Sequence, residues 1–144
     1  MIFGLTLKIT LMSNWRIGKT IPTTLKDYRQ FYSGDFMKTI SLTDGTDLTN
    51  ITTQNKWVLV KFSAEWCEPC RQLLPIFDTV VTQHPELQAI TVNVDLQPTL
   101  VNDYSVRSVP TLLFFNRGHV VSRLLGLQTE IQLNAWLEQN IQPI

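Results

Sequence analysis

The chain has little of the chemistry that marks a metal site or a cross-linked scaffold. Of its 144 residues only two are cysteine and two are histidine. A framework of several disulfides is excluded, since such frameworks need roughly four or more cysteines. A structural zinc site takes about four ligands, and His84 and His119 stand at no ligand spacing from Cys67 and Cys70. No metal and no cofactor are expected. Charge of one sign is missing too: 12 Lys and Arg balance 12 Asp and Glu. Nothing in that total favours nucleic acid as a partner. Long apolar runs are also absent. The apolar start, Met1 to Met12, is too short to span a bilayer and carries Lys8 within it. It lacks a basic leading region and a clear small-residue cleavage site, so neither a membrane anchor nor a secretory signal is expected. There is no repeat and no low-complexity tract.

What is present suits a globular fold. Apolar residues make up 44% and charged residues 17%, a balance that excludes a disordered chain and at this length supports one domain with a real core. The charge is unevenly spread. Residues 1–36 hold five Lys and Arg against two Asp and Glu, and residues 37–144 hold seven against ten. That shift places a boundary near Met37, with an N-terminal extension over 1–36 and a domain over 37–144.

The domain is organised around Trp57 to Pro75. Trp57-Val58-Leu59-Val60-Lys61-Phe62 is an apolar run of strand length, rich in β-branched and aromatic residues. Leu73, Phe77, Val80 and Val81 then recur at helical spacing. Between them stands Trp66-Cys67-Glu68-Pro69-Cys70, at a strand-to-helix junction, with Cys67 at or near the first helical turn. First-turn N–H groups and the helix dipole favour an anion there, and a thiolate is one. Two intervening residues let one helical turn bring the sulfurs within bridging distance. Pro69 suits the first turn, where its missing N–H is no loss. The residues alone admit a structural disulfide, half of a zinc site, or a redox pair. So short a loop constrains the unfolded chain little, and the further zinc ligands are absent. The redox pair remains the favoured reading.

Beyond the motif, the sequence resembles the thioredoxin family. The matching residues are Val58-Leu59-Val60, Ala64-Glu65-Trp66-Cys67, Pro69-Cys70, Pro75, Val92-Asn93-Val94-Asp95, Tyr104-Ser105-Val106-Arg107-Ser108-Val109-Pro110-Thr111, Gly118 and Gly126. They occur in the family's order across about residues 37–144. The resemblance implies an α/β thioredoxin fold, a mixed central sheet flanked by helices on both faces. It implies protein disulfide reduction by dithiol–disulfide exchange. Cys67, nearer the helix start and following an exposed Trp66, is assigned the attack, and Cys70, a turn deeper, the resolution. Val109-Pro110-Thr111 resembles the family's cis-proline loop. By matching position, Trp66, Val109, Pro110, Leu125, Gly126 and Leu127 form the docking surface for protein disulfides, with Gly126 permitting close backbone approach. Read without the resemblance, Leu125 and Leu127 are ordinary core. The implied partners are protein disulfides and a thioredoxin-reductase-type electron donor. A cytoplasmic monomer is expected, with no nucleic acid and no membrane.

Two departures bear on the redox poise. Glu68 stands where the family usually has glycine. Lys61 stands where the family has a buried aspartate, and Thr91 where it usually has a lysine. Lys61 interrupts an apolar central strand on the face shared with Trp57 and Leu59. One expectation puts it behind Cys70, favouring that thiolate. The other has its ammonium reach water or pair with a carboxylate such as Glu65. Arg71 either adds positive potential beside the pair or is simply solvated. Two other readings of function stand beside disulfide reduction: a thiol oxidase or disulfide isomerase, and a partner-binding module with incidental cysteines.

Along the chain, residues 3–11 alternate apolar and polar, the pattern of a half-buried strand. Thr24-Leu25-Lys26-Asp27 resembles a capping box opening a helix that Gly34 stops. The extension thus reads as a strand plus helix or as a loose arm. Within the domain a short strand is expected over Thr39–Leu42, a helix from Asp47 to about Asn55, and the central strand over Trp57–Ser63. The Cys67 helix follows, kinked at Pro75. Then come a strand over Leu87–Val94, a helix over Pro98–Tyr104, and strands over Thr111–Phe115 and His119–Leu125 joined at Asn116-Arg117-Gly118. A capping box at Thr129 and Gln132 opens the last helix, with Leu133, Trp136, Leu137 and Ile141 on one face.

Overall fold

The computed structural model describes residues 39–42 and 47–141. The strand expected over 3–11 and the helix from Thr24 to Gly34 lie outside the described residues. Within them the elements run β1 (Thr39–Ser41), α1 (Leu48–Gln54), β2 (Trp57–Ser63), α2 (Glu68–Gln83), β3 (Gln88–Asn93), α3 (Pro98–Asp103), β4 (Thr111–Asn116), β5 (His119–Leu125) and α4 (Glu130–Asn140).

The five strands form one mixed sheet in the order β1-β3-β2-β4-β5. β2 is at its centre, parallel to β3, with Lys61 opposite Thr91, and antiparallel to β4, with Lys61 opposite Leu112. Parallel neighbours need crossovers, and α1 and α2 supply them. Strand alternation separates two cores. Leu59, Ala89, Leu112 and Phe114 meet Leu73, Phe77 and Val80 of α2 and Leu133 and Leu137 of α4. Val58, Val60, Phe62, Ile90, Val92, Leu113 and Phe115 meet Leu48 of α1, with Leu100 and Val101 of α3 packed alongside. Helices therefore cover both faces of the sheet, and the central strand covered on both faces is apolar from Trp57 to Phe62 except at Lys61.

Local chemistry sets the ends of the elements. The Asp47 side chain caps α1 by accepting from the Thr49 N–H at 2.9 Å. Thr129 and Gln132 close the expected capping box of α4, at 3.2 and 2.9 Å. Trp136 of that helix packs edge-on against Phe114 and donates to the Ser122 hydroxyl at 2.9 Å. The β4–β5 turn puts Arg117 at φ 49 and Gly118 at φ 88, the two positive values that a twisted two-residue hairpin turn requires. The register slips between Phe114 and Phe115, an irregularity of the kind that bends an edge strand. Pro75, where a kink is expected, lies within α2, and the helix runs on to Gln83. Pro75 is on the exposed side.

Candidate active site

Cys67 is the N-cap of α2 and sits outside the helix proper, at φ −89, ψ 112. Its sulfur accepts from the Cys70 N–H at 3.3 Å, which satisfies one first-turn donor. Glu68 and Pro69 fill the first two helical positions. Anion stabilisation at a helix N-terminus is worth ~0.3–1 kcal/mol when exposed and up to ~2 kcal/mol when partly buried. Cys67 and Cys70 are joined in a disulfide, with Cα atoms 5.2 Å apart.

Exposure does not separate the two sulfurs as the sequence reading expects. Cys67 is 4% and Cys70 5% exposed. Ala64 packs with both, and Val94 and Val109 cover them. Their surroundings do differ. The Cys67 sulfur lies 3.6 Å from the Val109 carbonyl oxygen. In the disulfide this is a contact, because the sulfur carries no proton. Cys70 lies on the inner side of the helix and lines a cavity of ≈570 Å³ together with Lys61.

The Val109–Pro110 bond is cis. Thr111 Oγ1 donates to the Ser108 carbonyl at 2.6 Å and holds this loop. The Gly126 N–H donates to the Pro110 carbonyl at 2.9 Å, so the end of β5 lies along the loop beside Cys67. Trp66 is 67% exposed, Leu125 57% and Leu127 42%. The two leucines are therefore surface, and the core reading of them is wrong. Gly126, expected to permit close backbone approach, is favoured first by its own conformation. It has φ 82, and no atom lies within 4 Å of where a Cβ would stand. Backbone conformation favours glycine there, and no neighbour within the chain does.

The charged residues also differ from expectation. Arg71 donates to the Glu65 carbonyl at 2.8 and 3.1 Å and pairs with Glu68 at 3.4 Å, so it is not merely solvated. It offsets the Glu68 charge beside Cys67. Lys61 is 2% exposed. It makes no ion pair with Glu65 or with any other carboxylate among the described residues. Its Nζ stands 4.4 Å from the centroid of the Phe77 ring, and burial pulls its pKa below the ordinary lysine value, with Asp78 acting against that. Asp95 is a site residue that sequence reasoning passes over: its Oδ2 accepts from Trp66 Nε1 at 2.9 Å and orients the ring. Asp95 is 29 positions from Trp66 in the chain, so no local pattern links them. Among the described residues no group of three or more His, Cys, Asp or Glu is placed to hold a metal, and no helix is long and apolar enough to cross a membrane.

A dithiol at a helix N-terminus, against a proline loop and inside an exposed apolar rim, defines a thiol–disulfide oxidoreductase. The family model for Thioredoxin matches residues 38–139. Over 99 residues the chain is 35% identical to thioredoxin from Buchnera aphidicola subsp. Baizongia pistaciae, covering 68% of this chain and 91% of that protein. Thioredoxin from Mycobacterium tuberculosis is 34% identical over 96 residues, 66% of this chain and 83% of that one. Among solved structures, a single-substitution mutant of thioredoxin from Halobacterium salinarum superposes with a TM-score of 0.67 at 32% identity, covering 74% of this chain and 93% of that one. The chain belongs to the thioredoxin family. It is a protein-disulfide oxidoreductase that works by dithiol–disulfide exchange.

Proposed function

We propose that the protein is a cytoplasmic, monomeric disulfide reductase in which Cys67 attacks and Cys70 resolves, with residues 37–144 as its working domain. The observation that carries the assignment is the environment of the Cys67 sulfur: a helix N–H at 3.3 Å and the Val109 carbonyl at 3.6 Å, at the edge of the exposed rim. The Cys67 thiolate attacks one sulfur of a substrate disulfide. A Cys67–substrate bond forms, the substrate S–S bond breaks, and the departing thiolate takes a proton from water. The Cys70 thiolate then attacks Cys67, forms the intramolecular disulfide and releases the second substrate thiolate. Two electrons pass from the dithiol to the substrate. A reductase-type donor returns them.

Trp66, Val109, Leu125 and Leu127 supply the apolar contact for an extended substrate segment. Pro110 and Gly126 shape its edge, with main-chain groups available beside the sulfurs. Insulin reduction by dithiothreitol tests the reading. The wild type accelerates it, Cys67→Ser abolishes the acceleration, and Cys70→Ser accumulates a mixed disulfide through Cys67. Trapping through Cys70 in Cys67→Ser, with Cys70→Ser still turning over, would invert the assignment.

A further inference from the structure

Lys61 is the only charged residue among the described residues whose side chain is enclosed with the core. Along β2 it shares the α2-facing side with Leu59, and Phe77 of that helix lies under its ammonium. It also lines a cavity of ≈570 Å³, open to solvent, whose wall includes Cys70, Arg71, Leu74, Thr91 and Ser41. A space that large, with hydroxyls and two cations in its wall, has room for many waters at about 30 Å³ each. Cys70 and Lys61, the one buried cation among the described residues, thus stand in the wall of the same cavity.

We propose that Lys61 is the positioning residue for the resolving thiol: its ammonium favours the Cys70 thiolate across the shared cavity, and water there accepts the proton that Cys70 releases. The inference rests on Cys70 being the resolving cysteine. In the mixed disulfide, Cys70 first gives its proton to cavity water. Its sulfur then bonds to Cys67, the Cys67–substrate bond breaks, and the substrate sulfur leaves with the electron pair. Lys61 takes no part in the bond changes. It sets how much of Cys70 is thiolate when they occur.

Among the described residues the other charges facing this space are few. Asp78 acts on Lys61 from α2 and opposes the effect of burial. Glu65 and Arg71 line the cavity mouth, and Arg71 is held there by the Glu65 carbonyl and the Glu68 carboxylate. Strands β1, β3 and β4 bring no titratable side chain. Phe77 lies seven positions beyond Cys70, about 10 Å along a helix. A cation over its ring and a thiolate at Cys70 therefore interact over roughly 7–10 Å. Screened by cavity water, that separation corresponds to a displacement of roughly half to one pH unit in thiolate formation.

The test uses the reduced full chain. In a Cys67→Ser background, alkylation of Cys70 by iodoacetamide is followed against pH, with Lys61, Lys61→Met and Lys61→Arg compared. Lys61→Met is expected to move the midpoint up by about half to one unit, and Lys61→Arg, which keeps the charge, to leave it near the parent. In the two-cysteine protein, reduction of dithiobis(nitrobenzoate) releases one chromophore on attack and the second on resolution. The second phase is expected to slow about three- to tenfold at pH 7 in Lys61→Met and to converge with the parent above about pH 9. A midpoint moved by less than about 0.2 units, or second phases that superpose from about pH 6 to 9, would overturn the proposal. Lys61→Gln carries the same expectations if Lys61→Met does not fold. The alkylation midpoint involves no turnover, so its outcome is separate from any failure of the attack assignment.

Discussion

Two glycines share a strained backbone but differ in what surrounds them, and alanine at each separates conformation from contact. Gly126 has φ 82 and Gly118 has φ 88. A left-handed conformation costs a residue with a Cβ about 1–2 kcal/mol. At Gly126 that strain is the whole effect, because a Cβ there meets nothing within 4 Å. At Gly118 the Cβ would stand 2.8 Å from Thr53 Cγ2. Thr53 cannot easily turn away, since its hydroxyl donates to the Thr49 carbonyl at 2.8 Å and the Asn50 carbonyl at 3.0 Å. Overpacking of this kind adds about 1–3 kcal/mol. Urea unfolding should therefore show losses of about 1–2 kcal/mol for Gly126→Ala and about 2–5 kcal/mol for Gly118→Ala. Activity per folded molecule should rank them the other way. The new methyl at Gly126 projects into open space beside the Pro110 carbonyl, where the proposed substrate segment lies. Insulin reduction should fall several-fold in Gly126→Ala and reduction of a small aromatic disulfide much less, while Gly118→Ala retains both. Equal losses of stability, or equal loss on the two substrates in Gly126→Ala, would refute the reasoning.

Other outcomes follow from the charges and caps. Lys61→Met should stabilise the fold, because an apolar group replaces a buried ammonium. Burial places the folded pKa of Lys61 below the unfolded one, so between the two values the unfolded chain binds the extra proton and stability rises with pH. The parent's deficit against Lys61→Met should accordingly be greatest near pH 6 and shrink through the alkaline interval; unfolding curves at several pH values check this, and a constant difference refutes it. Glu68→Gln should lower the pH midpoint of Cys67 alkylation by only a few tenths of a unit, since Arg71 at 3.4 Å already offsets an exposed carboxylate; a rise would overturn the electrostatic account. Thr129→Ala should cost about 1 kcal/mol by removing the cap of α4, with insulin reduction per folded molecule unchanged.

Features that depend on near neighbours in the chain are legible in the sequence alone. The bounds Trp57–Ser63, the α2 face of Leu73, Phe77 and Val80, the capping box at Thr129 and Gln132, and the placing of Cys67 at a helix start all follow from spacing within a turn or two of helix, or from strand alternation. Pairings between distant segments are not. The Trp66–Asp95 bond spans 29 positions and the Cys67–Val109 contact 42, and no local period encodes either. The burial of both sulfurs belongs to the same class, because their cover comes from Ala64, Val94 and Val109 on separate segments. Lys61 shows the division within one residue. Its oddness in an apolar strand is plain from Trp57 to Phe62, but sequence leaves open whether its ammonium reaches water, pairs with Glu65 or faces Cys70. Only packing supplies its neighbours: α2 crossing over β2 sets Phe77 under the ammonium, and Lys61, Glu65 and Cys70 line one cavity with no ion pair between Lys61 and Glu65. Periodicity determines which face a side chain takes, whereas its neighbours on that face depend on how helix and sheet dock.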